Sequence, residues 1–250
     1  MTRMILALIV AASTSLTLAR NQDKGAQPSD PKHDSVTALL EILSNQPDYT
    51  ADVNMVIAEP QRMKMSRKQG NLRREFLYPI KDASGKDKAD AYYRTITIER
   101  IGQSTILFEP QQKTYCEIPG GSSPPVIGIQ QLLDNLMNNI EGIRVRNLGT
   151  EILDKHEATK MHITMTGDKP SKSDRHGVFF YFAKDLKNLL IKFEILELYE
   201  DKPTPPGKGW SYTLSSISLD VSDDLFQMPV GYKKVDLNSF LATLKQHIPK

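Results

Sequence analysis

The sequence predicts a mainly β (α+β) protein in which one large, curved antiparallel sheet carries helices packed on its concave face. Two observations lead to this fold class. Apolar and polar residues alternate through most of residues 49–119 and again through most of residues 144–235, as in antiparallel strands with one dry and one wet face. A single amphipathic helix, predicted at residues 126–140, separates these two strand-rich halves.

Residues 1–19 have the composition of a signal peptide. Arg3 supplies the positive charge, an apolar and small-residue run follows at residues 4–18, and Thr17 and Ala19 are the small residues that a signal peptidase requires. We therefore expect cleavage after Ala19 and export to the periplasm or the extracellular space. A membrane anchor and a core helix are the alternatives, but the run is short for a membrane span, and we expect no integral span in the mature chain.

The rest of the chain is expected to form one domain. Residues 20–34 contain no large apolar residue and are predicted to be a flexible tether, so the domain covers residues 35–250. About 230 residues remain after cleavage, which is enough to bury a large core. Because Cys116 is the single cysteine, no internal disulfide can form, and this core must hold the domain together.

Three helices are predicted from capping residues and helical spacing. Ser35 caps the first one, which ends near residue 46. The central helix at residues 126–140 carries Leu133 and Met137 on its apolar side. Residues 236–247 form the closing helix.

The first strands are predicted from alternation around a turn. Met55 lies on one face of the first strand, and Met63 and Met65 share one face of the second. The turn at residues 69–71 then leads into a return strand that begins at Leu72.

The following segment is predicted to contain a long loop and a further hairpin. Residues 81–90 are charged and are interpreted as a long solvated loop. Ile96 and Ile98 alternate with polar neighbours in the next strand. Residues 105–118 form a hairpin that includes Tyr115. Beyond the central helix, strands are predicted at residues 144–153, 158–166, 177–183, 189–199, 210–221 and 232–235.

The sequence contains no recognisable catalytic or metal-binding motif. Its five histidines show no metal-ligand spacing, and no GxSxG nucleophile turn is present. His156 and His162 are interpreted as solvated positions in a turn and on a strand. The nearly balanced charge argues against nucleic acid as a partner. We expect no cofactor and no enzymatic activity, although a site assembled from distant residues would escape sequence reasoning.

Five sequence blocks carry a resemblance to a known superfamily. They lie, in this order, at residues 68–76, 105–115, 148–160, 182–186 and 223–232. In this order they resemble the outer-membrane lipoprotein-carrier-like (LolA/LolB-like) superfamily, especially its poorly characterised secreted members. The resemblance implies an unclosed antiparallel half-barrel whose open side is plugged by helices, with a cavity that holds lipid chains.

The expected function is therefore binding of a hydrophobic or lipid-type ligand, as in a lipid or lipoprotein carrier, with a lipoprotein or envelope protein as a further partner. The alternatives are an envelope sensor or regulatory domain that binds a protein partner, and an enzyme with a non-local site. Flexible methionines and aromatic side chains suit a cavity for acyl chains, although the same residues fill ordinary cores. The candidate cavity residues are Met55, Met63, Met65, Leu72, Arg74, Phe76, Ile96, Ile98, Tyr115, Leu133, Met137, Met161, Ile163, Phe180, Phe182 and Phe193.

Arg74 is the unusual member of this set. It shares a strand face with Leu72 and Phe76, whereas Arg73 points to the opposite, wet face. A buried guanidinium requires acceptors, which carbonyls of a plugging helix or the head group of a ligand would supply. A strand bulge, or an arginine that reaches the rim of the sheet, is the alternative.

Overall fold

The computed structural model describes residues 31–56, 60–82, 84–100, 103–118, 143–165, 176–199, 202–203 and 209–247. Within these residues the protein is mainly β, which confirms the predicted fold class. The helices are α1 (Pro31–Ser44) and α2 (Leu237–His247). The strands are β1 (Tyr49–Val56), β2 (Pro60–Lys68), β3 (Asn71–Lys81), β4 (Asp87–Glu99), β5 (Thr105–Glu109), β6 (Thr114–Ile118), β7 (Ile143–Leu153), β8 (His156–Met165), β9 (His176–Ala183), β10 (Leu189–Tyr199), β11 (Lys202–Pro203), β12 (Gly209–Ser218) and β13 (Lys233–Lys234).

Several predictions concern residues outside this set. The signal peptide at residues 1–19 and the central helix at residues 126–140, with Leu133 and Met137, lie outside the described residues.

All thirteen strands form one open sheet. Its order is β13-β6-β5-β4-β3-β2-β1-β12-β10-β9-β8-β7, and β11 pairs with β10 away from this path. Neighbouring strands are antiparallel except for the short pair of β13 and β6, which is parallel. Within the described part of the chain, the end strands β13 and β7 do not pair with each other, so the sheet is an unclosed half-barrel, as the resemblance implied.

Both described helices pack on the same face of this sheet. Residues that lie opposite each other in adjacent strands project to one face. Phe180, Phe193, Tyr212 and Met55 form such a row from β9 to β1. α1 packs on the part of this row that lies on β9 and β10.

α2 packs on the other end of that face. A second row runs from Ala51, four positions before Met55, through Met65, Arg74, Thr97, Leu107 and Cys116. Phe240 and Leu244 of α2 pack on Leu107 and Cys116 of this row. We call the side that carries both rows the helix-covered face, and the opposite side the outer face.

Gln46 fixes the end of α1 to the sheet. Its side-chain amide donates to the carbonyl oxygens of Ile42 at 2.8 Å and Asn188 at 3.1 Å. Its side-chain oxygen accepts from the backbone N–H of Leu190 at 2.7 Å, and its backbone carbonyl accepts from Arg67 at 2.7 Å. The Gln46 side chain thus joins the end of α1 to the beginning of β10, and the Gln46 backbone carbonyl joins the same point to β2.

Two local predictions were wrong. α1 begins at Pro31, four positions before the predicted cap at Ser35, because the fixed φ of proline suits the first helical turn. Residues 81–90 are a tight hairpin, and the Asp82 carboxylate closes its turn by accepting hydrogen bonds from Ser84 and from the Lys86 N–H. Charged residues there are exposed at Lys81, Asp82, Lys86, Asp87 and Lys88, as expected, but β3 extends to Lys81 and β4 begins at Asp87, so the segment is not a long loop.

Candidate functional site

Most of the predicted cavity residues meet on the helix-covered face. The strand registers place eleven of them there. They are Met55, Met63, Met65, Leu72, Arg74, Phe76, Met161, Ile163, Phe180, Phe182 and Phe193.

Three predicted cavity residues lie on the outer face, opposite the other eleven. Ile96 lies opposite Glu75 and Ile98 opposite Arg73, so both project to the outer face. Tyr115 lies on the same face, because it is opposite Phe108, which in turn is opposite Ile96. They pack with the segment after β12, including Phe226 of the 3-10 turn Asp223–Phe226, instead of with a helix. Alternation misassigned them because both faces are covered at this end of the sheet.

A polar centre lies within the helix-covered face. Arg74 and Glu99 are 9% and 5% exposed, and Nη1 of Arg74 donates to Oε1 of Glu99 in a buried ion pair. The hydroxyl oxygens of Tyr49 and Tyr212 lie 3.4 Å apart although the residues come from different strands. We call Tyr49, Arg74, Glu99 and Tyr212 the polar centre.

The electrostatics of the polar centre follow from its burial. Burial lowers the pKa of the Arg74 guanidinium, and the neighbouring Glu99 carboxylate opposes this shift. Burial also raises the pKa of the Tyr49 hydroxyl, and burial together with Tyr49 raises that of Tyr212 well above its usual value. Both phenols therefore stay protonated at neutral pH and can donate hydrogen bonds.

Two further polar side chains border the polar centre on the same face. Thr97 lies directly opposite Arg74 in the sheet, is 8% exposed, and its hydroxyl has no hydrogen-bond partner among the described residues. Arg67 lies opposite Tyr49 and donates a hydrogen bond to the Gln46 carbonyl. Hydrogen-bond donors thus converge in apolar surroundings, an arrangement typical of ligand sites.

The outer face has a small pocket of its own. It has a volume of about 180 Å³ and is lined by Arg73, Ile98, Phe108 and Tyr232, among others. The Arg73 side chain is 15% exposed and donates to Glu75 at 3.0 Å. The prediction that Arg73 is an exposed cation was therefore wrong, because the segment after β12 covers this part of the outer face.

The histidines also differ from expectation. His156 is 7% exposed, and its Nδ1 lies 2.7 Å from Oδ2 of Asp185, so it is a buried residue at the start of β8 instead of a solvated turn residue. His162 stacks on Phe179 with ring centroids 4.6 Å apart. In the part of the chain that the structure describes, no group of three or more His, Cys, Asp or Glu residues could hold a metal ion. None of the described helices is both long and apolar enough to span a bilayer.

Comparison with known proteins gives structural matches only. No protein-family model matches the chain, and no curated protein matches it. A chain of the Pseudomonas aeruginosa MucA/MucB complex is 11% identical, with 82% of this chain and 64% of that chain covered and a TM-score of 0.47. An uncharacterized conserved protein from Thermus thermophilus is 14% identical, with 80% and 99% covered and a TM-score of 0.44.

A third structural match has a lower TM-score. A LolA superfamily protein from Nitrosomonas europaea is 12% identical, with 80% of this chain and 99% of that chain covered and a TM-score of 0.29. At such identities the similarity concerns the fold, so function has to be argued from the residues of this chain.

Sequence reasoning missed several residues of the site. Glu99 and Thr97 occupy the helix-covered face of β4, where the alternation with Ile96 and Ile98 suggested a wet face. Both residues are buried by packing in the folded sheet, which the alternation of residues along one strand does not reveal. The Tyr49–Tyr212 contact joins residues 163 positions apart, and no local sequence pattern predicts it.

Proposed function

We propose that this chain is an exported, non-enzymatic binding protein that holds a hydrophobic or lipid-type ligand against the helix-covered face. The observation that carries the proposal is a methionine-rich apolar surface, with a polar centre, on the middle strands of that face. Met55, Met63 and Met65 lie there on β1 and β2. Methionine adapts its shape easily, which suits acyl chains of varied length and saturation.

The positions of the helices support this location. α1 packs over β8 to β10 and α2 over β4 to β6, while β1, β2 and β3 lie between them in the sheet. Among the described residues, the apolar cluster that contains Met63, Met65 and Phe76 includes no side chain of either helix. A ligand on these strands would contact sheet residues below and the helices on either side.

Two tyrosine side chains connect this surface to the helices. Tyr212 packs against both the middle cluster and the cluster of α1, and Tyr78 packs against both the middle cluster and the cluster of α2. Ligand that moves either tyrosine would therefore also shift the packing of a helix. This supports binding that is coupled to helix position, as expected of a protein that loads and releases its cargo.

The proposal can be tested on protein purified from the cell envelope. Native mass spectrometry and organic extraction should detect a bound acyl lipid, or its uptake from vesicles made of phosphatidylethanolamine and phosphatidylglycerol. Met65→Gln should reduce the retained lipid severalfold, because it places an amide of similar size on the proposed contact surface. Lys64→Gln is the matched control, since the adjacent Lys64 is exposed on the outer face.

The outcomes separate the alternatives. Thermal unfolding of both variants shows whether lost lipid reflects lost fold. Protein that purifies empty, takes up no lipid from the vesicles and instead captures an envelope protein would favour the sensor interpretation. Equal lipid content in Met65→Gln and Lys64→Gln would place the ligand elsewhere.

A further inference from the structure

We infer that the polar centre, together with Arg67 and Thr97, binds the head group of an acyl amphiphile that carries a single negative charge, such as a carboxylate or a phosphodiester. This inference rests on the proposed function and adds the chemical class of the ligand. It makes the helix-covered face a site with two parts: methionines for the acyl chain and hydrogen-bond donors for the head.

The polar groups that converge there are mainly donors. A guanidinium has five N–H donors and no acceptor, and within the described residues Arg74 makes one side-chain hydrogen bond, to Glu99. The Tyr49 and Tyr212 hydroxyls share one contact at 3.4 Å, so at least one phenol proton is available to a ligand. The buried Thr97 hydroxyl, opposite Arg74, has no partner in the described part of the chain. A group rich in acceptor oxygens would satisfy all of them.

The balance of charge selects a monoanion. Glu99 offsets the charge of Arg74 through their buried ion pair. Arg67 forms no ion pair with any residue that the structure describes, and its guanidinium is held by the neutral Gln46 carbonyl at 2.7 Å. Counted over the described residues, the site therefore carries about one net positive charge, which a monoanion neutralises, whereas a dianion would leave a buried negative charge uncompensated.

The donors lie directly beside the apolar surface. Arg67, Met65 and Met63 alternate on the same face of β2, and Arg74 lies directly opposite Met65. A head group at the donors would therefore leave its acyl chain next to the methionines. This is the arrangement that an amphiphile requires, because its charged end stays hydrogen-bonded while its chain is removed from water.

A matched pair of ligands tests the inference. Palmitate and its methyl ester have the same acyl chain, and only palmitate carries a charge at neutral pH. We expect the purified protein, stripped of lipid, to bind palmitate at least about tenfold more tightly, the scale of a charge-assisted hydrogen bond. Phosphatidylglycerol compared with diacylglycerol, which has no phosphodiester, in a second pair shows whether the monoanion is a phosphodiester.

Variants assign the preference to named groups. Arg67→Gln should remove most of the preference for palmitate while leaving the methyl ester affinity within about twofold to threefold, and Arg67→Lys should retain the preference. Tyr212→Phe, which keeps the ring, should weaken palmitate binding by roughly twofold to tenfold. Arg62→Gln, an exposed outer-face position on the same strand, is the control and should change neither affinity.

Three results would overturn the inference. Equal affinity for palmitate and its ester would remove the charge preference while leaving the proposed function intact. A preference that survives in Arg67→Gln, with the fold verified by thermal unfolding, would assign it to other groups. Failure to bind any of the four lipids would overturn the inference together with the proposed function.

Discussion

Breaking the buried ion pair of Arg74 and Glu99 should destabilise the protein far more than breaking its neighbour on the outer face. Arg74→Leu keeps most of the apolar stem but removes the guanidinium that pairs with the Glu99 carboxylate, which is 5% exposed. Removing one partner of a buried pair costs about 3–5 kcal/mol. For a domain of this size, 1 kcal/mol corresponds to about 2–4 °C in Tm, so the expected decrease is about 6–20 °C.

The matched variant is Arg73→Leu, one residue earlier on the opposite face. Arg73 donates to Glu75 at 3.0 Å, but Glu75 also has Arg94 at 3.5 Å, whose side chain is 53% exposed and can adjust. Glu75 therefore keeps a partner, and we expect a loss of only about 1 kcal/mol.

A double-mutant cycle isolates the interaction between the two charges. In Arg74→Leu/Glu99→Leu no buried charge is left alone, so the double variant should lose much less stability than the sum of the two single variants. Urea denaturation of all four proteins, with the m-value checked for constancy, gives the coupling energy. Additive losses, or a loss in Arg73→Leu as large as that in Arg74→Leu, would refute the assignment of the two faces and of the pair.

Two further predictions concern acid sensitivity and export. Burial, with Arg146 and Lys160 nearby, lowers the pKa of His162, so the unfolded chain binds a proton more readily and stability should fall as the pH drops below about 6.5. His162→Phe, which keeps the stacking on Phe179, should abolish that part of the decrease in Tm between about pH 7.5 and pH 5; an unchanged decrease would rule His162 out as its source. N-terminal sequencing of the envelope protein should begin directly after Ala19, and an intact Met1 on soluble cytoplasmic protein would contradict export.

The sequence predicted where the strands lie in the chain better than it predicted which face of the sheet each side chain occupies. Strand β10 has the predicted bounds, Leu189–Tyr199, because a long alternating run between turn residues leaves little ambiguity. The rows through Met55, Met63 and Met65 also fall on the face that was expected. These segments obey the rule that one face of an antiparallel sheet is dry and the other wet.

That rule fails at β4, where the outer face is covered as well. Ile96 and Ile98 pack under the segment after β12, while Thr97 and Glu99 are buried on the helix-covered face. A period of two identifies a strand but does not say which of two covered faces belongs to which layer. Only the register with β3 decides this, and that register depends on contacts across the whole sheet.

The polar centre shows what separates a site from a core. Replacing a buried ion pair by well-packed apolar residues is often neutral or stabilising, so Arg74 and Glu99 contribute little that leucine or methionine would not supply. The Thr97 hydroxyl, which no described residue satisfies, adds a cost for the same fold. Stability alone therefore does not account for this group of side chains in the middle of an apolar face. The proposed ligand, whose polar end would accept hydrogen bonds from these donors, would account for all of them together and would explain why the chain retains polar groups that add nothing to its stability.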